Sequence, residues 1–299
     1  MTTTLDAGHG PAGERGSARL LVAGVALPER WATHPVVAAE ASHDGWDATD
    51  VWFDDAGPHE GGALLARLRW RERSDGYRPY SVETDPAGVS LFAVGSAEGA
   101  ARLVLRARAE LEAAGRTLGE VVRSTAPRGT RAVLARLAAQ EGVVVPSPFD
   151  VPAGGEWDWM SIDHHPAPQP GEDRVEELVG ETGRAEAAAV LAAANPHGEL
   201  ALDEPRSRWW GWRDGDGVLR GVVGASRRVP GRAWVLGSIG TDPALRGRGV
   251  AAATTAVAVR AGLAEAPVVT LGMYASNEAA RRTYRRVGFT LGQEFESTR

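Results

Sequence analysis

The chain has 299 residues, a formal net charge of −6, 43% hydrophobic residues and no cysteine. Its length accommodates two domains of about 150 residues, and its ordinary globular composition predicts a proper core. The missing cysteine excludes disulfides, a cysteine nucleophile and cysteine-based zinc sites. The acidic balance, with no basic run interleaved with aromatics, argues against a nucleic-acid partner. No apolar stretch reaches the roughly 20 residues that span a bilayer.

Residues 1–17 are rich in Gly and Thr without apolar periodicity and read as a flexible tail. The segment LLVAGVALP (20–28) follows Arg15 and Arg19 like a short signal core, but reads more simply as an early strand. DVWFDD, ALLARLRWRE and VSLFAVGS also have strand character. A helix is predicted over 97–116 from Ala101, Val104, Leu105 and Leu111, with Ser96 as N-cap and Gly115 as stop. A strand at GEVVRST follows, then a helix over 127–142 opened by Pro127, then a strand over 143–150.

VPAGG (151–155) reads as a seam, dividing the chain into a tail (1–17), a first domain (18–152) and a second (153–299). EWDWMSID is a candidate strand, HPAPQPG a break, and 172–195 a helical region. Three strands follow, SRWWGWRD, LRGVVGASRRV and RAWVLGSIGT, the first two joined by the hairpin turn RDGDG (213–217). A glycine-rich stretch then starts a helix running to about Glu265. It leads to a strand PVVTLGMYA (267–275), a helix at 277–288 and a last strand FTLGQEFES. The strands flanking the glycine helix form a β-α-β crossover and should be parallel. Residues 88–150 show the same strand–helix–strand–helix–strand order, so the halves are expected to be copies of one fold.

The stretch PALRGRGVAAATT (243–255) lacks the Lys-Ser/Thr of a P-loop. Gly247, Gly249 and Ala252 satisfy a dinucleotide fingerprint formally. However, TDPAL separates them from the strand, and PVVTLGMYA ends without the acidic residue a ribose needs. What remains is a helix start whose free backbone N–H groups and dipole favour an anion, with Arg246 and Arg248 nearby.

Two motifs sharpen this. IGTDPALRGRGVA resembles the acyl-CoA signature of the GNAT N-acyltransferase superfamily, Q/R-x-x-G-x-G/A, through Arg246, Gly249 and Ala251. NEAARRTYRRVGF resembles its downstream element through Asn277, Ala280, Tyr284, Gly288 and Phe289. The resemblance covers essentially the C-terminal half. It implies an α/β fold with a mixed, mostly antiparallel sheet flanked by helices, in two tandem lobes. The first lobe has lost the signature: VGSAEGAARL (94–103) has no Arg or Gln at the matching position.

The same resemblance implies acetyl transfer from acetyl-CoA to an amine, small molecule or peptide, by direct attack. No metal is expected, the missing cysteine fits the cytoplasm, and monomer or homodimer is left open. Ser238, Ile239 and Thr241 would line the pantetheine arm. Arg246, Gly247, Arg248, Gly249, Val250 and Ala251 would hold the pyrophosphate, and Asn277 and Ala280 of the downstream motif would also bind the cofactor. Tyr284 would protonate the departing thiolate. No glutamate marks a base on RAWVLGSIGT, leaving Asp163, His164 and His165 as candidates, although surface histidines are the simpler reading. Trp209, Trp210 and Trp212 would lie on a strand beside the acceptor cleft, with Trp209 facing away from the other two. A non-catalytic acyl-CoA sensor is the alternative.

Overall fold

The computed structural model describes residues 27–40, 46–70, 89–119, 121–196, 198, 200–227 and 232–298. The tail and most of LLVAGVALP lie outside them. The centre is one sheet of eleven strands in the order β1-β2-β3-β4-β11-β5-β10-β9-β8-β7-β6. Its first four strands are β1 (Trp46–Phe53), β2 (Ala63–Trp70), β3 (Val89–Gly95) and β4 (Val121–Pro127). The rest are β5 (Gly155–Ile162), β6 (Val175–Leu178), β7 (Ser207–Arg213), β8 (Leu219–Arg227), β9 (Trp234–Thr241), β10 (Val269–Tyr274) and β11 (Thr290–Thr298). Among the described residues only β3–β4 and β9–β10 pair in parallel, each across a helical crossover, and the other pairs are antiparallel. This is the mixed, mostly antiparallel sheet expected from the sequence.

The helices are α1 (Glu29–Ala32), α2 (Pro35–Glu40), α3 (Ala97–Ala113), α4 (Thr130–Glu141), α5 (Gly180–Ala194), α6 (Val250–Leu263) and α7 (Glu278–Val287). The run β1-β2-β3-α3-β4-α4-β5 repeats as β7-β8-β9-α6-β10-α7-β11. Apart from the extra edge strand β6, the sheet presents the same sequence of repeat positions from either end, because the two repeats exchange their fifth strands. β11 pairs with β4, and β5 pairs with β10. The exchanged strands then pair with each other from Thr290↔Ser161 to Ser297↔Gly155.

This exchange corrects the strand expected at 143–150. That segment forms no strand and folds back with Phe149 buried against α3 and α4. The fifth strand of the first repeat is β5, beyond the VPAGG seam. Two helix starts also differ from expectation. Pro127 closes β4, and α4 begins after Gly129 in the left-handed region (φ 91°). Residues 172–195 begin with a 3-10 turn and the edge strand β6 before α5.

Alternation along β5 sorts the core. Met160 and Ile162 face α6 and α7, whereas Trp159 faces α1 and α2 beside Trp31 and Phe295. Helices α3 and α4 cover β1–β4 on the α6–α7 side, and α5 packs on the opposite face against Trp209 and Val222.

Candidate functional site

The parallel pairing of β9 with β10 covers only Trp234↔Val269, Val235↔Thr270 and Leu236↔Leu271. Beyond Leu236 the strands part and leave an opening at their C-terminal ends. A bulge in β9 causes the divergence: its pairing with β8 jumps from Gly237↔Gly224 to Gly240↔Val222. Ser238 within it has φ 50°, a left-handed conformation costing a serine about 1–3 kcal/mol. The Ser238 hydroxyl offsets this strain by accepting from the Leu200 N–H and donating to the Leu200 carbonyl, both at 2.9 Å. Gly198 makes room, since a Cβ there would lie 2.5 Å from Ser238 Oγ.

The pantetheine residues proposed from sequence thus have separate uses. Ser238 commits its side chain to Leu200. The Ile239 carbonyl accepts from Asn195 Nδ2 at 3.2 Å. Thr241 Oγ1 is buried with no hydrogen-bond partner.

The loop after β9 is built to deliver a helix start. Asp242 Oδ1 accepts from the Ala244 N–H at 2.9 Å and closes a 3-10 turn over Pro243–Leu245. That hydrogen bond, followed by the Arg220 guanidinium 2.9 Å away, holds the Asp242 carboxyl below the usual carboxylate range. Gly247 (φ 78°) and Gly249 (φ 88°) then take left-handed conformations that L side chains resist. Gly249 is the N-cap of α6 and brings no side-chain cap hydrogen bond to the first-turn amides. The first backbone bond here runs from the Ala253 N–H to the Gly249 carbonyl, so the amides of Val250, Ala251 and Ala252 have no helical acceptor. Val250 packs over Gly221, where a Cβ would meet it at 2.4 Å. Arg246 reaches back to the Ala194 carbonyl at 3.3 Å, and Arg248 is exposed.

Tyr284 lies in the second turn of α7, 8% exposed, within the core cluster that includes Ile239, Ala252 and Ala280. Its ring meets Phe289 edge-on at 6.0 Å. Burial pushes the phenol well above its ordinary value, so it holds its proton across the physiological range. Asn277 caps α7 by accepting from the Ala280 N–H at 3.1 Å, and Gly288 (φ 118°) ends the helix. Asn277 and Ala280 thereby orient α7.

The candidate bases lie elsewhere. β5 runs antiparallel to β10 with Ile162 opposite Val269. Asp163, His164 and His165 therefore leave the sheet where β10 enters it, about 16–20 Å from the open end at ~3.3 Å per residue. His164 Nδ1 pairs with Asp163 at 3.1 Å, and all three residues are exposed.

The tryptophans also differ from expectation. β7 is two strands removed from the opening. Trp210 is buried against α6, Trp209 against α5, and Trp212 donates to the Gly171 carbonyl at 3.0 Å. Core packing claims Trp209 and Trp210. A cavity of about 450 Å³ lies on the β7–β8 side of the glycine loop, walled by Trp212, Arg220, Asp242, Arg248 and Val250.

Sequence reading missed Asp158. It is fully buried and bound by Arg128 from the first half and Arg281 from α7. The signal was present: an acid on the inward register of Met160 and Ile162, which only a paired charge can occupy. Among the described residues no group of three His, Cys, Asp or Glu side chains could hold a metal. No described helix is long and apolar enough to cross a membrane.

Residues 173–289 match the acetyltransferase (GNAT) family model. This segment runs from the turn before β6 to Phe289 and takes in the opening, the glycine loop and Tyr284. The C-terminal half thus carries a GNAT acetyltransferase domain. No curated protein matches the chain in sequence. Among solved structures, a putative GNAT-family acetyltransferase from Novosphingobium aromaticivorans is 23% identical, with a TM-score of 0.44 over 78% of this chain and 86% of that one. A GCN5-related N-acetyltransferase from Kribbella flavida is 14% identical, with a TM-score of 0.44 over 82% and 88%. A tandem GNAT protein from the clavulanic acid biosynthesis pathway is 14% identical, with a TM-score of 0.38 over 79% and 82%. All three scores fall below 0.5, so the family assignment rests on the matched segment.

Proposed function

We propose that this protein is an N-acetyltransferase that moves an acetyl group from acetyl-CoA to a primary amine by direct attack. The observation that carries the reading is the uncapped glycine start of α6 at the mouth of the β9–β10 opening. It fits a pyrophosphate: free amides converge there, the helix dipole favours an anion, and small residues permit close approach. Arg246 and Arg248 add charge-assisted bonds. Thr241 Oγ1 and the β9 backbone offer polar partners to the pantetheine arm.

In this reading the amine nitrogen attacks the thioester carbonyl, the C–S bond breaks, and Tyr284 donates its proton to the leaving sulfur. The proton that the nitrogen sheds passes to solvent water, from which the tyrosinate is reprotonated. The phenol suits that role because burial keeps it protonated. An alkyl amine with a pKa near 10.4 is neutral in about one molecule per thousand or fewer at pH 7. Turnover should therefore rise with pH. The acceptor approaches from the face opposite α6 and α7, where Gly272 and Tyr274 of β10 are exposed beside Trp157 of β5. The first half acts as a degenerate lobe that supports this side. The work is placed in the cytoplasm, in keeping with a chain without cysteine.

The deciding experiment is thiol release from acetyl-CoA against a panel of amines and amino-terminal peptides. Turnover that saturates in both substrates supports the enzyme. Tight CoA binding with no turnover on any amine supports a sensor instead, a reading favoured by the remoteness of the candidate bases from the opening.

A further inference from the structure

The first half of the chain reaches the C-terminal site through a buried charge cluster under the first turns of α7. Asp158, on the inward face of β5, shares the register of Met160 and Ile162, so its carboxylate would be costly without partners. Its Oδ1 accepts from Arg128 Nη2 at 2.7 Å, and its Oδ2 accepts from Arg281 Nη1. Arg128 belongs to the β4–α4 connection of the first half. Its backbone N–H donates to the Glu294 carbonyl at 3.0 Å, and its Nη1 to the Glu294 carboxylate at 2.7 Å. Arg281 donates its other terminal nitrogen to the Ala275 carbonyl at 2.5 Å, so one side chain ties α7 both to β5 and to the end of β10.

Arg281 precedes Tyr284 by three residues, one helical turn on the same side of α7. The bonds of Arg281 are therefore what fix the rotation and height of that turn over the sheet. Hydrophobic packing around Tyr284 alone would tolerate sliding, because apolar contacts are not directional.

We propose that Asp158 and Arg281 are positioning residues for Tyr284, and that the first half takes part in the reaction by supplying Arg128 as the second cation on Asp158. The proposal rests on Tyr284 being the proton donor. It also gives the strand exchange a consequence: β5, the fifth strand of the first repeat, carries the anchor for the helix of the second.

The test uses the full chain labelled with 3-fluorotyrosine. The four tyrosines give four fluorine resonances, and Tyr284→Phe assigns the relevant one. Arg281→Met leaves Asp158 paired with Arg128. It should shift or split the Tyr284 resonance and lower kcat about 10- to 100-fold, with KM and Kd for acetyl-CoA held within about twofold. Arg281→Lys, which can reach Asp158 but not hold both acceptors at once, should restore part of the loss. Arg128→Met leaves Asp158 one-to-one with Arg281 and should act in the same direction at a few-fold amplitude.

An Arg281→Met protein with an unmoved Tyr284 resonance and kcat within about twofold overturns the proposal. Should that variant not fold, the Arg128→Met resonance decides in the same way. Wild-type protein that releases no thiol with any amine defeats the enzyme reading, while the fluorine comparison still decides the positioning.

Discussion

Helices α3 and α6 occupy the same place in the two repeats, each following the third strand of an antiparallel triplet and leading to a parallel fourth. Their first turns differ. In α3, Ser96 Oγ accepts from the Gly99 N–H at 2.9 Å and donates to the Gly61 carbonyl at 2.5 Å. The Gly95 N–H donates to Gln293 Oε1 at 3.1 Å. A Cβ on Gly95 would lie 2.4 Å from the Gly62 carbonyl oxygen, so the chain itself fills the space above this turn. In α6, the loop 242–249 lifts the helix start away from β9, and Gly247 and Gly249 face open space. A shared topology is therefore not enough for an anion site. The helix start must be left uncapped and facing open space, and of these two starts only that of α6 is.

The largest expected effect tests that contrast directly. Gly249→Val places a β-branched residue at φ 88° in the loop and should weaken acetyl-CoA binding more than about 100-fold by calorimetry. Ser96→Ala at the matching turn should cost about 1 kcal/mol of stability and leave CoA affinity unchanged. Titration of the wild type should give one acetyl-CoA per chain; a second site would break the comparison.

Next comes Tyr284→Phe, expected to lower kcat about 100-fold or more while the Kd for CoA stays within about twofold. The raised phenol also fixes the sign of the pH profile. The donor remains protonated above its ordinary titration range, so kcat/KM should climb with pH as the amine loses its proton, without a falling limb below about pH 10. A decline between about pH 8 and 10 would point to a different donor.

Arg246→Ala removes a guanidinium at the exposed rim of the loop and should weaken CoA binding about tenfold, less so in high salt.

The smallest effect belongs to the first half. Burial, followed by the charge of His59, lowers His34 from 6.5 to about 4. The fold keeps this imidazole neutral, so between those two values the unfolded chain binds the proton and the folded one does not. Stability should therefore fall as pH drops through that window. His34→Gln should flatten the dependence of Tm on pH there without altering CoA affinity.

The C-terminal site was legible in the sequence to the extent that it is local. Asn277 as cap, Gly288 as stop, the hairpin at RDGDG and the parallel β9–β10 crossover all depend on residues close in the chain, and the structure reproduces each. The Trp209–Trp212 alternation was readable too, but its place two strands from the opening was not, because strand order is a long-range property. Asp158 was unreadable as an anchor for the same reason: Arg128 and Arg281 lie 30 residues before it and 123 after it.

By itself, the sequence determined the starts of α3, α6 and α7, the inward faces of the strands and the glycine loop. These follow from φ preferences, capping chemistry and alternation, which act over a few residues. Only the tertiary structure decided that β5 and β11 exchange places, which α-helix start stays open, and which buried acid holds the tyrosine helix. Those outcomes depend on which distant segments fill the same space, and on whether a polar group buried there meets its partner.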